Sequence, residues 1–302
     1  MKNRATILLL ILPVVFTLKA QPDAYFVHYG PEDGLPQHTV TDILQDRSGF
    51  MWFSTWDGLS RFDGYTFATY RLPGNSNIAS QSSRIDHLFE DRYRNIWALT
   101  YDSHAYRFDI ETESFCGIGS VAALEGHPFS ASNIIPMEGG NVWLLSQEDG
   151  CIVVTDSLLN VEVYHPRYGN LTDRRVNGVY EDREGNSWIL TGKGITLLVA
   201  GESTPLFYFH HASITPYRDP YPFHCVSELD DEIWFGADKG IIWRYDKQRK
   251  YFRPLDTGLG SNLIAIEAIS TEKIALVSSR GGFAIYNTHD GSMELYNRQT
   301  LP

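Results

Sequence analysis

From residue 40 onward the chain alternates short apolar runs with clusters of Gly, Asp, Ser and Asn. The first unit runs from Val40 through Ile43 and Leu44 to Asp46, turns at Arg47-Ser48-Gly49, and resumes as Phe50-Met51-Trp52-Phe53-Ser54-Thr55. A second turn, Trp56-Asp57-Gly58, leads into Leu59-Ser60-Arg61-Phe62-Asp63, and Gly64 precedes Tyr65-Thr66-Phe67-Ala68-Thr69-Tyr70. Short apolar runs bounded by turn formers predict four antiparallel strands. Asp46 is placed to accept the backbone N–H two residues on, and Gly49 supplies the positive φ at which a hairpin closes. Asp182-Arg183-Glu184-Gly185 repeats that chemistry, whereas Asp91-Arg92-Tyr93-Arg94 keeps the Asp and loses the Gly.

The unit recurs. Trp52, Trp97, Trp143, Trp188 and Trp234 are spaced by 45, 46, 45 and 46 residues, each within an apolar strand pattern. A sixth, degenerate copy, Lys273-Ile274-Ala275-Leu276-Val277-Ser278, has Ala275 at the Trp register. A period of this size in a strand-rich chain predicts an all-β fold, a β-propeller of four-stranded antiparallel blades. The tryptophans are expected to pack between blades, because an indole buries a large apolar area. Outer strands are expected at 25–29, 65–70, 114–118, 161–165, 206–210, 251–255 and 293–296, against six inner sets. The first would then complete the last blade of a seven-bladed ring. Leu301-Pro302 echoes Leu35-Pro36 at the start of blade one, so the sequence is expected to be a fragment ending where a seventh blade begins.

Residues 1–20 have the form of a secretory signal: Lys2 and Arg4, an apolar run, then Ala20 at a plausible cleavage position. The apolar run is short for a membrane span, and cleavage or retention as an anchor stays open. Residues 21–302 are expected to form the sensor propeller. Loss of Lys2, Arg4 and Lys19 with the leader takes the net charge from −12 to about −15. That acidity argues against nucleic acid, whose phosphates favour basic stripes. Cys116, Cys151 and Cys225 are too few and scattered for a disulfide framework and are expected as buried free thiols.

No HExxH, CxxC, Walker A or GxSxG pattern occurs. Neither catalysis, a metal nor a cofactor is expected. Adjacent His210 and His211, in a strand, would face opposite ways and cannot share a metal. The acidic pairs Glu90-Asp91, Glu181-Asp182 and Asp230-Asp231 recur at the first hairpins, which favours turn formation over catalysis. Asn170 is expected to cap a loop.

Function is sought on the loops of one face. The loop after the Trp strand is short and polar in blades three to six, but blades one and two carry Trp56-Asp57 and Tyr101-Asp102-Ser103-His104. Trp56 and Tyr101 have no packing duty that the repeat demands, and are candidate sugar-stacking platforms beside Asp57 and His104. Loops leading into the inner strands add Gln37, His38, Arg84, Arg174, Arg175, Asn177 and His224. Arg84, Arg174 and Arg175, with Lys193, Lys239 and Arg280 from the post-Trp loops, either gather charge for a uronate or sulfate or stand as separate solvated charges.

The unit Gly-Leu-Pro…Val-Thr-Asp-Ile…Asp-Arg-Ser-Gly-Phe-Met-Trp-Phe-Ser-Thr…Asp-Gly-Leu-Ser-Arg-Phe-Asp, residues 34–63, resembles the two-component regulator propeller repeat. The resemblance is close in blades one, two and four, looser in three and five, and poor in six. It implies the first periplasmic propeller of a Bacteroides-type hybrid two-component system, followed by a second propeller, a membrane helix, a histidine kinase and output domains. It also implies oligosaccharide sensing and a homodimer formed through the parent protein. Three function classes stay open on the sequence: a non-catalytic sensor, a propeller polysaccharide lyase or hydrolase, and a structural or dimerisation propeller without its own ligand.

Overall fold

The computed structural model describes residues 26–73, 83–118, 129–155, 158–208, 222–229, 231–280 and 282–296. They form six four-stranded antiparallel sheets, each built from four strands consecutive in the chain. Blade one comprises Val40–Gln45, Met51–Thr55, Gly58–Phe62 and Phe67–Tyr70. Its Trp strand is the second, paired Leu44↔Trp52 with the first strand and Trp52↔Arg61 with the third. The first strands of successive blades pack against one another around the array. This is the propeller that the 45–46-residue spacing predicts.

All five repeating tryptophans are buried, Trp52 completely. Each faces the following blade: Trp52 meets Phe108, Trp188 meets Phe235 and Tyr245, and Trp234 meets Tyr286. Blade cores are therefore shared between neighbours. One such core joins Trp188, Leu190 and Leu197 to Phe223, Phe235 and Trp243. An indole takes on the order of 200 Å² out of water, so each junction gains several kcal/mol before conformational entropy is subtracted.

In blades one, two and four a buried carboxylate ties the turn to its tryptophan. Asp46 Oδ1 accepts the N–H groups of Ser48 and Phe50, while Oδ2 accepts Trp52 Nε1 at 2.7 Å. Asp91 and Trp97, and Asp182 and Trp188, repeat this at 2.8 Å. Gly49 and Gly185 hold φ of +92° and +82° in these turns, and Arg94 is forced to +69° where blade two lacks the glycine.

The glutamate one residue earlier has a different duty. Glu90 accepts the N–H of Arg47 in blade one, and Glu228 accepts the N–H of Arg183 in blade four. Each therefore reaches back to finish the turn of the preceding blade. Glu90 and Asp91 are structural, as the sequence suggests, with the two carboxylates serving different blades; Asp182 likewise organises its turn, and Asp230 lies outside the described residues.

Three expectations need correction. Residues 26–30 form no strand and pair with none of the six sheets; Tyr29 instead lies 5.1 Å from Phe62 and 5.6 Å from Phe67 of blade one. Extended backbone without a neighbouring ladder gains no strand hydrogen bonds, so its aromatic side chain settles on the nearest apolar face. The fifth outer strand is shorter than expected, Leu206–Tyr208, and His210 and His211 lie outside the described residues, as does the secretory signal. Cys116 is exposed on an outer strand, whereas Cys151 is buried and Cys225 half-buried. Asn170 does cap its loop, accepting from His165 N and donating to Val163 O.

Candidate functional site

In five blades the first strand carries a β-bulge next to its first residue, which leaves Thr41, Asp86, Asn177, His224 and Ile264 out of the pairing register. A bulge re-aims a side chain and frees backbone groups. Two of these residues fasten neighbouring blades: the Thr41 hydroxyl donates to Ile85 O, and Asn177 Nδ2 donates to Phe223 O at 3.0 Å. Blade three has no bulge, and there Gln147 Nε2 donates to Val176 O instead. Asn177, a candidate ligand residue from the sequence, is thus a strap between blades.

The bulge of blade two serves the candidate platform. Arg84 Nε donates to Asp86 Oδ1 at 2.7 Å, and the guanidinium carbon lies 5.3 Å from the Trp56 ring centroid and 4.5 Å from that of Tyr101. Tyr101 N donates to Arg84 O, which fixes the second loop against the first. Three residues chosen separately from the sequence therefore form one cluster across blades one and two. Trp56 remains 50% exposed and Tyr101 64% exposed, large values for aromatic rings whose positions are already fixed. Asp86 is the member that the sequence reading missed; the alternating Arg84-Ile85-Asp86 places both charges on one side of a strand.

The remaining candidates are held locally. Gln37 Oε1 accepts its own loop's Thr39 N, and His38 is exposed. Asp57 pairs with Arg71 at 2.9 Å, and His104 Nδ1 lies 3.3 Å from Asp102. Arg175 Nε donates to Gln147, Lys193 lies 3.7 Å from Asp173, and His224 Nε2 lies 2.6 Å from Asp238. Arg174 and Arg280 are exposed, their backbone N–H groups bonded to Asp173 and Ser261. Lys239 is exposed with φ of +61°. Of these cations, Arg84, Arg175 and Lys193 are thus engaged by side chains of neighbouring residues.

On the opposite face, beside the first hairpins, two clefts open between blades. One of about 480 Å³ lies between blades five and six and is lined by Arg183, Glu232, Trp234, Arg244, Arg253 and Tyr286 among others. The second, about 570 Å³, lies between blades three and four, lined by Met137, Glu138, Gly139, Tyr180 and Glu181. They mark blades whose turn lacks the Asp-to-Trp bond: Met137 and Leu229 occupy the Asp register. In blade five Trp234 Nε1 turns instead to Glu232 on its own strand, at 2.8 Å. The substitution was readable by aligning the repeats, but a missing turn acid signals a cleft only once its role is known. Among the described residues, no group of His, Cys, Asp and Glu could hold a metal, and no helix is long and apolar enough to cross a membrane.

The radial sheets and shared indole cores define a β-propeller built on a turn-acid-to-tryptophan repeat. The two component regulator propeller family model matches residues 34–57, within the first of these repeats. Over 59 residues the chain is 48% identical to histidine kinase P4 of Formosa agariphila, a stretch of 19% of this chain and 4% of the kinase. The extracellular domain of a hybrid two component system from B. thetaiotaomicron superposes with a TM-score of 0.57 at 20% identity, over 90% of this chain and 36% of that one. PorZ, a surface component of the type-IX secretion system of Porphyromonas gingivalis, gives 0.51 at 15% identity, over 84% of this chain and 39% of that one. At these identities the structural likeness concerns the fold. The chain spans little more than a third of either structure's length.

Proposed function

We propose that this propeller is a periplasmic ligand-binding module of a two-component signalling protein, without catalysis of its own, and that its ligand is an oligosaccharide. The observation that carries the reading is the pair of exposed rings, Trp56 and Tyr101, immobilised on one guanidinium. A fixed, solvent-facing aromatic surface suits the apolar face of a pyranose, because no ordering entropy is lost by the protein on binding. Asp86 already balances Arg84, so this surface favours a neutral sugar over a uronate or sulfate. The repeat family and the likeness to extracellular domains of two component systems support the signalling context. A second propeller, membrane anchor, kinase and dimer partner belong, in this reading, to the parent protein.

Calorimetric titration with panels of neutral and acidic oligosaccharides tests the proposal. Trp56→Ala and Tyr101→Ala are each expected to weaken binding by about tenfold or more, as loss of a central aromatic anchor does. Unchanged binding in both variants would remove these rings from the site, and no saccharide binding by the unaltered protein would favour a structural propeller. Release of shortened products by the protein would favour a lyase or hydrolase.

A further inference from the structure

We infer that the cleft between blades five and six is a second binding site, and that it takes a small organic carboxylate. Arg244 and Arg253 converge on a single carboxylate, Glu232: Arg253 Nη2 donates to Oε1, and Arg244 Nε lies 3.9 Å from Oε2. Oε2 also accepts the indole N–H of Trp234. Two guanidinium groups carry more N–H donors than one shared carboxylate can accept. The Nε atoms of both arginines are buried without a hydrogen-bond acceptor; Arg244 makes a long contact, 3.4 Å, to the Tyr286 hydroxyl, and its guanidinium carbon lies 5.3 Å from the Trp234 ring centroid.

The other acids nearby are hydrogen-bonded to other groups. Glu228 is saturated by Lys247 Nζ, the Tyr180 hydroxyl and the backbone N–H of Arg183. Asp231 accepts from Gln248 at the rim, and Asp246 binds the backbone and side chain of Arg249. The two guanidinium groups thus share one directly bonded carboxylate, and the exposed part of Arg253 is where an anion from outside docks. Arg253 is the accessible member, with 40% of its side chain exposed. Guanidinium groups bind carboxylates through paired, charge-assisted hydrogen bonds.

Trp234, Ile274 and Tyr286 supply an apolar wall, and Ser270 and Thr271 add hydroxyls at the rim. The volume of about 480 Å³ falls within the range of small-ligand sites, with room for one sugar ring or two. A carboxylate on such a ring meets the arginines while its carbon face lies on the aromatic wall. Beside the opening Leu229 stands at the register of the turn acid, and the hairpin is one residue shorter than in blade one.

The test is calorimetry and thermal unfolding of the full chain with glucuronate, glucose and succinate as probes. Glucuronate is expected to bind and to raise the unfolding midpoint, with glucose weaker by about tenfold or more because it lacks the charged acceptor. Succinate binding comparable to glucuronate would support the site while placing its recognition in the carboxylate alone. Arg253→Met, with an unchanged circular dichroism spectrum, is expected to abolish both the binding and the midpoint shift. Arg84→Met on the opposite face is expected to leave them intact. The inference is overturned if no carboxylate binds, if glucose binds as well as glucuronate, if Arg253→Met binds normally, or if Arg84→Met is the variant that loses binding. Repeating the titrations in a Trp56→Ala, Tyr101→Ala background removes any contribution of the loop face, so the loop-face reading stands or falls separately.

Discussion

The carboxylate of Asp46 and the indole nitrogen of Trp52 are six residues apart in sequence and 2.7 Å apart in space, both buried. One oxygen organises the hairpin and the other anchors the residue that fills the junction with the next blade. Turn formation and core packing are thereby a single event in blades one, two and four.

Replacing that acid should therefore cost more than a surface turn would suggest. Asp182→Ala leaves the Trp188 Nε1–H and two backbone N–H groups without their acceptor. Destabilisation of about 2–3 kcal/mol is expected from unsatisfied buried donors. Chemical denaturation measures it, with the exposed Asp63→Ala, a turn acid that touches no tryptophan, as the comparison.

Blade one also tests backbone geometry. Gly58 holds φ of +108°, and an added Cβ would sit 2.5 Å from the carbonyl oxygen of Tyr70, whereas at Gly49 it would meet nothing within 4 Å. Gly49→Ala is expected to cost about 1 kcal/mol for the positive φ alone. Gly58→Ala should cost distinctly more and, because it shifts the loop that carries Trp56, should also weaken any saccharide response. Equal unfolding midpoints for the two variants would contradict this account.

The stack of Trp56, Arg84 and Tyr101 predicts a measurable coupling. A double-mutant cycle of Arg84→Met with Tyr101→Leu should give an interaction of about 0.5–1 kcal/mol, the size of a partly exposed cation–π contact. Additive effects would mean that the stack is geometric proximity without energy.

Alkaline pH should weaken the fold. Burial first, then a 2.8 Å hydrogen bond to Glu113, push the Tyr70 hydroxyl up to about 12 from its ordinary value of 10. The half-buried Tyr164 and Tyr180 and the buried Tyr245 are raised as well, chiefly by burial. A raised value favours the neutral phenol in the folded chain. The stabilisation is thus complete below pH 10 and is lost as pH rises toward 12. Ultraviolet titration of tyrosinate alongside unfolding midpoints checks this, and Tyr70→Phe should flatten the decline.

The blades and their register were legible because a large aromatic recurring every 45–46 residues leaves little else for a strand-rich chain to build. Trp56, Arg84 and Tyr101 were legible one by one, as departures from the repeat at loop positions. Their assembly was not, since it depends on a bulge that turns Asp86 toward Arg84. The role of Asn177 was misleading for a related reason: a polar residue at a strand mouth serves either a ligand or a freed carbonyl, and only geometry separates the two. The cleft beside Trp234 was hidden more deeply, because its sign was the absence of an acid whose partner lies six residues away.

Glu90 and Glu228 each complete a hairpin that was synthesised before them. A wedge emerging from the ribosome or translocon thus keeps an open backbone donor until its successor folds and covers it. Assembly of the array is vectorial in its polar contacts as well as in its apolar ones, and the most recently made wedge is always the least protected.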